Sequence, residues 1–119
     1  MAVPDAGLSK LLEFMFGVTA GGTPYVAAGT SATGFDAGDT TLGAELSRVV
    51  ASTVSVTDNV VTIKAFFNTS EANGAVAETG LLTASSGGTL LDRSIETPAQ
   101  VKDSSKEMIV EYAITLARG

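Results

Sequence analysis

The thirteen acidic side chains are the groups of this 119-residue chain that could do acid–base chemistry, because the sequence contains no histidine and no cysteine. Cysteine nucleophiles, disulfides and thiolate metal sites are therefore excluded, and the commonest general base is absent. Glu71 and Glu78 stand on either side of an Asn-Gly turn at 73–74. Two carboxylates at a suitable separation can hydrolyse a glycosidic bond.

A structural interpretation of this carboxylate pair is favoured by the composition of the chain. Glycoside-binding clefts hold the sugar against aromatic platforms, and this sequence has no tryptophan and two tyrosines. Opposite charges on neighbouring strands commonly pair across a sheet. We therefore expect Glu78 to pair with Arg93 or Lys64.

A second acidic pair, Asp36 and Asp39, lies in a segment rich in Gly, Thr and Asp, with Glu45 beyond it. Carboxylate, hydroxyl and carbonyl oxygens are ligands that Ca²⁺ accepts. The spacing D-x-x-D differs, however, from the calcium loop of an EF-hand. Asp and Gly are also common turn formers, so we predict a turn here, with no bound metal and no cofactor.

Two Ser-Lys pairs could in principle form a nucleophile with its base, at 9–10 and 105–106. Adjacent side chains point apart on a helix and to opposite faces on a strand, so neither pair forms that contact easily. The glycine pairs at 21–22 and 87–88 fit neither of the common phosphate-binding patterns. The sequence therefore predicts no enzymatic activity.

Composition and charge bound the possible partners. The net charge is −6 with seven scattered basic residues, which disfavours binding to nucleic acid or to an anionic membrane surface. Charged residues make up 17% of the chain, fewer than the roughly 25% of a typical soluble domain. Either Thr, Ser and Gly solvate the surface, or other copies and partners cover it, and we expect the second. The N-terminus does not resemble a signal peptide, and no apolar run approaches a membrane span, so we expect a cytoplasmic protein that later assembles.

The N-terminal residues 1–17 have a helical pattern over 5–16, with Pro4 suited to the start and Gly17 to the end. Its apolar residues form one stripe at i, i+3, i+4, i+7 and i+8: Leu8, Leu11, Leu12, Met15 and Phe16. The sequence predicts a short helix that either packs on the core of its own domain or docks on a neighbouring subunit.

The rest of the chain is strand-like from 48 to 117, after a short strand at 25–28 and a long loop at 29–43. Apolar alternation, β-branched residues and turn signals predict further strands at 48–56, 60–67, 75–82, 89–95 and 106–116. The turn at 57–59 and the Ser-Ser-Gly-Gly loop at 85–88 would close two hairpins, and 96–105, with Pro98, reads as a polar connection.

About six strands without intervening helices predict a single all-β domain over residues 1–119, built as an antiparallel β-sandwich or small barrel with a short N-terminal helix. One strand shows which face meets the core. Val61, Ile63, Ala65 and Phe67 share one face of 60–67, with Lys64 on the other. The alternation over 106–116 is the most regular in the chain.

Four motifs resemble those of short virion proteins of long-tailed phages, including capsid decoration proteins, and of the N-terminal tail-fibre domain that attaches the fibre to the baseplate. The first, D-x-G-L-x-x-L, stands here at Asp5, Gly7, Leu8 and Leu11, and the second, Y-V-A-x-G-T, covers 25–30. The third, T-x-L-x-x-E-x-x-R, stands at Thr40, Leu42, Glu45 and Arg48. The fourth is a hairpin pattern over 78–93. Leu82 stands where the family often has Phe, and a fibre protein would continue past Gly119.

The resemblance implies a virion structural protein assembled in the host cytoplasm. The leading expectation is a decoration protein, a homotrimer that clamps the major capsid protein or other virion proteins and stabilises the viral head. The alternative is a tail or baseplate adaptor. We expect the assembly contacts in the N-terminal segment and the long loop, at Leu8, Leu12, Phe16, Phe35, Asp36 and Asp39. Alternatively, Phe35 caps the domain's own core.

Overall fold

A computed structural model describes residues Pro4, Gly7, 24–57 and 60–115. This part of the chain forms seven strands, one more than the sequence predicts. They are β1 (Tyr25–Gly29), β2 (Glu45–Val50), β3 (Thr53–Thr57), β4 (Val60–Phe67), β5 (Gly74–Leu82), β6 (Leu90–Lys102) and β7 (Met108–Thr115). The predicted helix over 5–16 lies outside the described residues, apart from Gly7.

The strands form two antiparallel sheets that pack as a sandwich, so the all-β prediction is confirmed. One sheet has the order β2-β1-β5-β6 and the other β3-β4-β7. Every pair of these strands is antiparallel, and short connections close the hairpins β3–β4 and β5–β6. Between the sheets lies one apolar core, to which both contribute: Val26, Ala28, Ile63, Ala65, Phe67, Ala72, Val76, Leu81, Leu91 and Tyr112.

The predicted faces of β4 are confirmed, and β7 alternates as the sequence predicts. Ile63, Ala65 and Phe67 are buried in the core, while Lys64 on the opposite face of β4 is exposed. On β7, the even-numbered residues 108–114 contact the core and the odd-numbered residues point outward. The burial on both strands therefore follows the alternation of period two.

The expected strand at 48–56 is wrong as a single element. It is two strands, β2 and β3, which belong to different sheets. The chain crosses between the sheets at Ala51 and Ser52, whose amides donate to Pro24 O at 2.9 Å and Lys64 O at 2.8 Å. Because both halves are β-branched and alternate, the composition shows no break at the crossing.

The polar connection expected at 96–105 is also wrong, because β6 continues to Lys102. The strand bulges: Ile95 pairs with Glu78 and Gln100 with Val76, so four residues of β6 stand opposite one residue of β5. Pro98 lies within this bulge, where the missing amide breaks no ladder bond. The polar composition of the segment therefore marks an irregular edge strand.

Candidate functional site

The loop 30–44 runs across the outer face of the four-stranded sheet, which we call the covered face. A second apolar cluster lies beneath the loop and is separate from the main core: Ala27, Leu42, Leu82 and Leu90. The side chain of Leu42 packs from the loop against Gly80, where an added Cβ atom would lie 2.7 Å from Leu42 Cδ2. Gly80 thus provides the space that the loop needs to pack against the sheet.

Glu78 holds both ends of this loop. Its carboxylate is fully buried and accepts three backbone N–H bonds, from Ser31 at 3.0 Å, Gly43 at 2.8 Å and Ala44 at 2.8 Å. A fourth bond comes from Arg93 Nε to Glu78 Oε1, at 3.0 Å. Burial raises the pKa of Glu78, but these four hydrogen bonds outweigh it and hold the pKa below its ordinary value of 4.5.

Arg93 connects the same network to the middle of the loop. Its guanidinium group donates to Thr33 O at 2.9 Å and to Gly34 O at 3.4 Å, and it forms an ion pair with Asp39 Oδ2 at 3.3 Å. The side chain is almost completely buried. A buried ion pair is stable when further hydrogen bonds satisfy its remaining donors and acceptors, as the loop carbonyls do here.

Asp36 and Asp39 shape the tip of the loop, as the turn interpretation predicted. Asp36 Oδ1 accepts the Gly38 amide at 2.7 Å, and Asp39 Oδ2 accepts the Asp36 amide at 3.0 Å. Across the described residues, no group of three or more acidic side chains is placed to hold a metal ion. Phe35 directly precedes Asp36 in the chain and is 38% exposed.

A second arginine braces the opposite side of the covered face. Arg48 forms a two-bond ion pair with Glu45, at 2.7 and 3.1 Å. The same guanidinium group donates to Ala84 O and Gly87 O, both at 2.9 Å, and so joins β2 to the loop between β5 and β6. Gly87 has φ +62°, a left-handed conformation that favours glycine.

The covered face therefore contains residues from the second, third and fourth motifs. Gly7 lies directly on β6, since a Cβ atom there would be 2.7 Å from Leu90 O. The motif 25–30 spans β1, and the last two motifs supply the two arginine networks. Of the expected assembly contacts, Phe35, Asp36 and Asp39 lie on the loop 30–44, and Leu8, Leu12 and Phe16 lie outside the described residues.

The predicted cross-strand pair of Glu78 is confirmed with Arg93. Lys64 pairs instead with Glu111, at 3.7 Å, on the outer face of the three-stranded sheet. Glu71 Oε1 accepts the Asn68 amide at 2.9 Å. Both carboxylates of the suspected pair thus bind backbone amides, and Glu78 is enclosed with a lowered pKa, whereas a general acid needs a raised one.

Two buried polar contacts were not predicted from the sequence. Lys102 Nζ donates to Asn68 O at 2.7 Å and to Asn73 Oδ1 at 2.9 Å, which fixes the turn between β4 and β5. Tyr112 OH donates to Thr79 Oγ1 at 2.8 Å and links the two sheets, and burial raises the pKa of Tyr112. The Asn-Gly pair at 73–74 was the available signal for the first contact.

A groove of about 640 Å³ opens between the edges formed by β6 and β7. Thr79, Ser94 and Tyr112 line it from the interior, and Val101 and Ile109 lie at its rim.

The described part of the chain contains no helix with the length and apolarity that a bilayer crossing requires.

Comparison with known proteins gives no assignment, because no protein-family model and no curated protein sequence matches this chain significantly.

Proposed function

We propose that this chain is a virion structural protein, and specifically a decoration protein that binds the outside of a viral head and stabilises it. One observation supports this most: three of the four motifs that resemble virion proteins place residues on the covered face, where two arginine networks hold its loops. Motif residues that hold the fold together, rather than line a catalytic cleft, suit a protein that acts as a structural component. The buried position of Glu78 and Arg93 gives these motifs a structural role.

The loop 30–44 is the proposed contact with the capsid. Three backbone hydrogen bonds to Glu78 and three polar contacts of Arg93 hold it in one conformation, so little conformational entropy remains to be lost on binding. Phe35 on this fixed loop is partly exposed to solvent. Aromatic side chains that enter a partner's pocket often contribute most of the binding energy.

The copy number in purified virus particles tests this role. A decoration protein is present in hundreds of copies, whereas a tail or baseplate adaptor is present in a handful. The adaptor is the second candidate, supported by the resemblance to the attachment domain of tail fibres. Quantitative mass spectrometry against the major capsid protein separates the two, and absence from the particle contradicts both.

A further inference from the structure

Within the described part of the chain, β7 offers a free edge for pairing with another chain. It lies at the margin of the three-stranded sheet, and among the described residues no strand pairs with its second edge. All eight residues of β7 pair with β4 in one continuous register, without a bulge. Natural proteins usually protect such edges with proline, bulges or short strands, because an exposed regular edge is a template for another strand.

The neighbouring edge, on β6, has these protections. Residues 96–99 bulge away from β5, and Pro98 lies among them. The two edges flank the same groove and face the same solvent. The protection of one and not the other indicates that the edge of β7 is used.

Exposed apolar side chains accompany this edge. Ile109 on β7 is 68% exposed, and its cross-strand partner Phe66 on β4 is 43% exposed. Together they form an apolar patch on the outer face of the three-stranded sheet, which we call the open face. Such a patch beside an unpaired edge gives an added strand both backbone bonds and side-chain contacts.

We propose that β7 pairs with β7 of a second copy of this chain, antiparallel about a two-fold axis at Tyr112. In this register, Ile109 stands opposite Thr115 and Glu111 opposite Ala113 on the open face. On the inner face, Val110 stands opposite Ile114, and the two Tyr112 residues face each other. The result is a continuous six-stranded sheet across two subunits.

Charge and overlap select this register. A two-fold axis one residue earlier would place Glu111 opposite its own copy, and like charges directly opposite each other destabilise a strand pair. An axis at Val110 would avoid that contact but would leave only 108–112 paired. The register at Tyr112 pairs 109–115, contains no like-charge pair, and leaves Glu111 in its ion pair with Lys64.

This contact does not depend on the proposed virion role and uses a different surface. The loop 30–44 lies on the covered face, so it stays available to a capsid when β7 is paired. A protein with both a two-fold contact and three-fold contacts can link neighbouring positions on a shell. The pairing can be measured with the isolated chain, so its failure would leave the virion proposal to be tested by copy number.

Sedimentation equilibrium of the full chain at micromolar concentrations tests the pairing. We expect a dimer, or a hexamer if three-fold contacts also form. A monomer or a trimer at every concentration overturns the proposal.

Two opposite charges at one position test the register. Ala113→Glu places a second carboxylate against Glu111 of the other copy, twice per dimer, and should raise the dimer Kd roughly tenfold. Ala113→Lys should lower the Kd. Ser55→Glu adds the same charge to β3, the opposite edge of the same sheet, and should leave the Kd unchanged. Circular dichroism checks that each variant is folded, and equal effects of Glu and Lys at position 113 overturn the register.

Discussion

The covered face of this sandwich holds a buried ion pair, whereas the open face holds an ion pair exposed to solvent. On the covered face, Glu78 and Arg93 are buried, and their polar atoms bond to a loop that folds over them. On the open face, Lys64 and Glu111 form a 3.7 Å pair that is about half exposed to solvent. Each ion pair joins two neighbouring strands, so burial is the main difference between the two pairs.

This difference indicates what each face is for. A buried pair that binds loop amides and carbonyls is part of the fold, because removing one partner leaves an uncompensated charge in the interior. An exposed pair contributes about 0–1 kcal/mol and constrains little. The chain thus completes one face internally and leaves the apolar residues Phe66 and Ile109 exposed on the other, where the proposed pairing of β7 would cover them.

The largest effect is expected from breaking the buried pair. Arg93→Met should lower the free energy of unfolding by about 3 kcal/mol, because Glu78 then remains charged and buried without its cation. The matched control is Lys64→Met, which removes a cation of the open face and should cost less than about 1 kcal/mol. Urea unfolding followed by circular dichroism measures both, and equal losses would contradict the distinction between the faces.

Removing the apolar contact beneath the loop should have the next largest effect. Leu42→Ala empties the space above Gly80 and should cost about 2–3 kcal/mol of unfolding free energy. The expected loss is as large as for a core leucine, although Leu42 belongs to a loop. Thermal unfolding of Leu42→Ala beside Leu46→Ala, which truncates a leucine about 41% exposed on β2, provides the comparison. A smaller loss for Leu42 than for Leu46 would show that the loop is not packed on the sheet.

The sequence predicts the open face better than the covered face, and the reason is physical. Alternation with period two is a local signal: it correctly assigns the faces of β4, and the burial of β7 follows the alternation that the sequence predicts. The pairing of Glu78 with Arg93 follows from their places on adjacent strands of one hairpin. The amides that Glu78 binds are 34 to 47 residues distant and belong to a loop without periodicity, so no local pattern indicates them.

The other differences between the predicted and observed strands arise where the composition gives no local sign of the true boundary. The crossing at Ala51 and Ser52 interrupts a run of alternating residues that would also suit one long strand. In β6, Pro98 and its polar neighbours are typical of a loop, and pairing with β5 resumes beyond them at Gln100. In both cases the strand with which a segment pairs, rather than the segment's own composition, decides its structure.

Phe35 provides a prediction that separates binding from folding. Phe35→Ala should weaken attachment to viral particles by roughly 2 kcal/mol, because the ring is then unavailable to the partner's pocket. The unfolding free energy should fall by only about 1 kcal/mol, because the ring is partly covered by its own chain but lies outside the core. Co-sedimentation with particles and urea unfolding measure the two quantities. A large loss of stability with unchanged attachment would place Phe35 in the core of its own domain.

The smallest expected effect is a dependence on pH. Since the folded pKa of Glu78 lies below 4.5, the unfolded chain binds more protons as the pH falls through that value, and the folded state loses stability. A protonated Glu78 resembles glutamine, so the difference in stability between wild type and Glu78→Gln should shrink below pH 4.5. Urea unfolding between pH 7 and 3 measures this difference. A constant difference would show that the ionised carboxylate does not hold the loop.

Hydrogen exchange at two protein concentrations tests the contrast between the faces most directly. The amides of Ser31, Gly43 and Ala44 bond to Glu78 within one chain, so they should exchange slowly and equally at 1 and 100 μM, concentrations of the order that brackets a weak dimer. The amides of β7 that face away from β4 should be slow only at the higher concentration. Fast exchange in the loop, or exchange in β7 that is independent of concentration, would contradict this account.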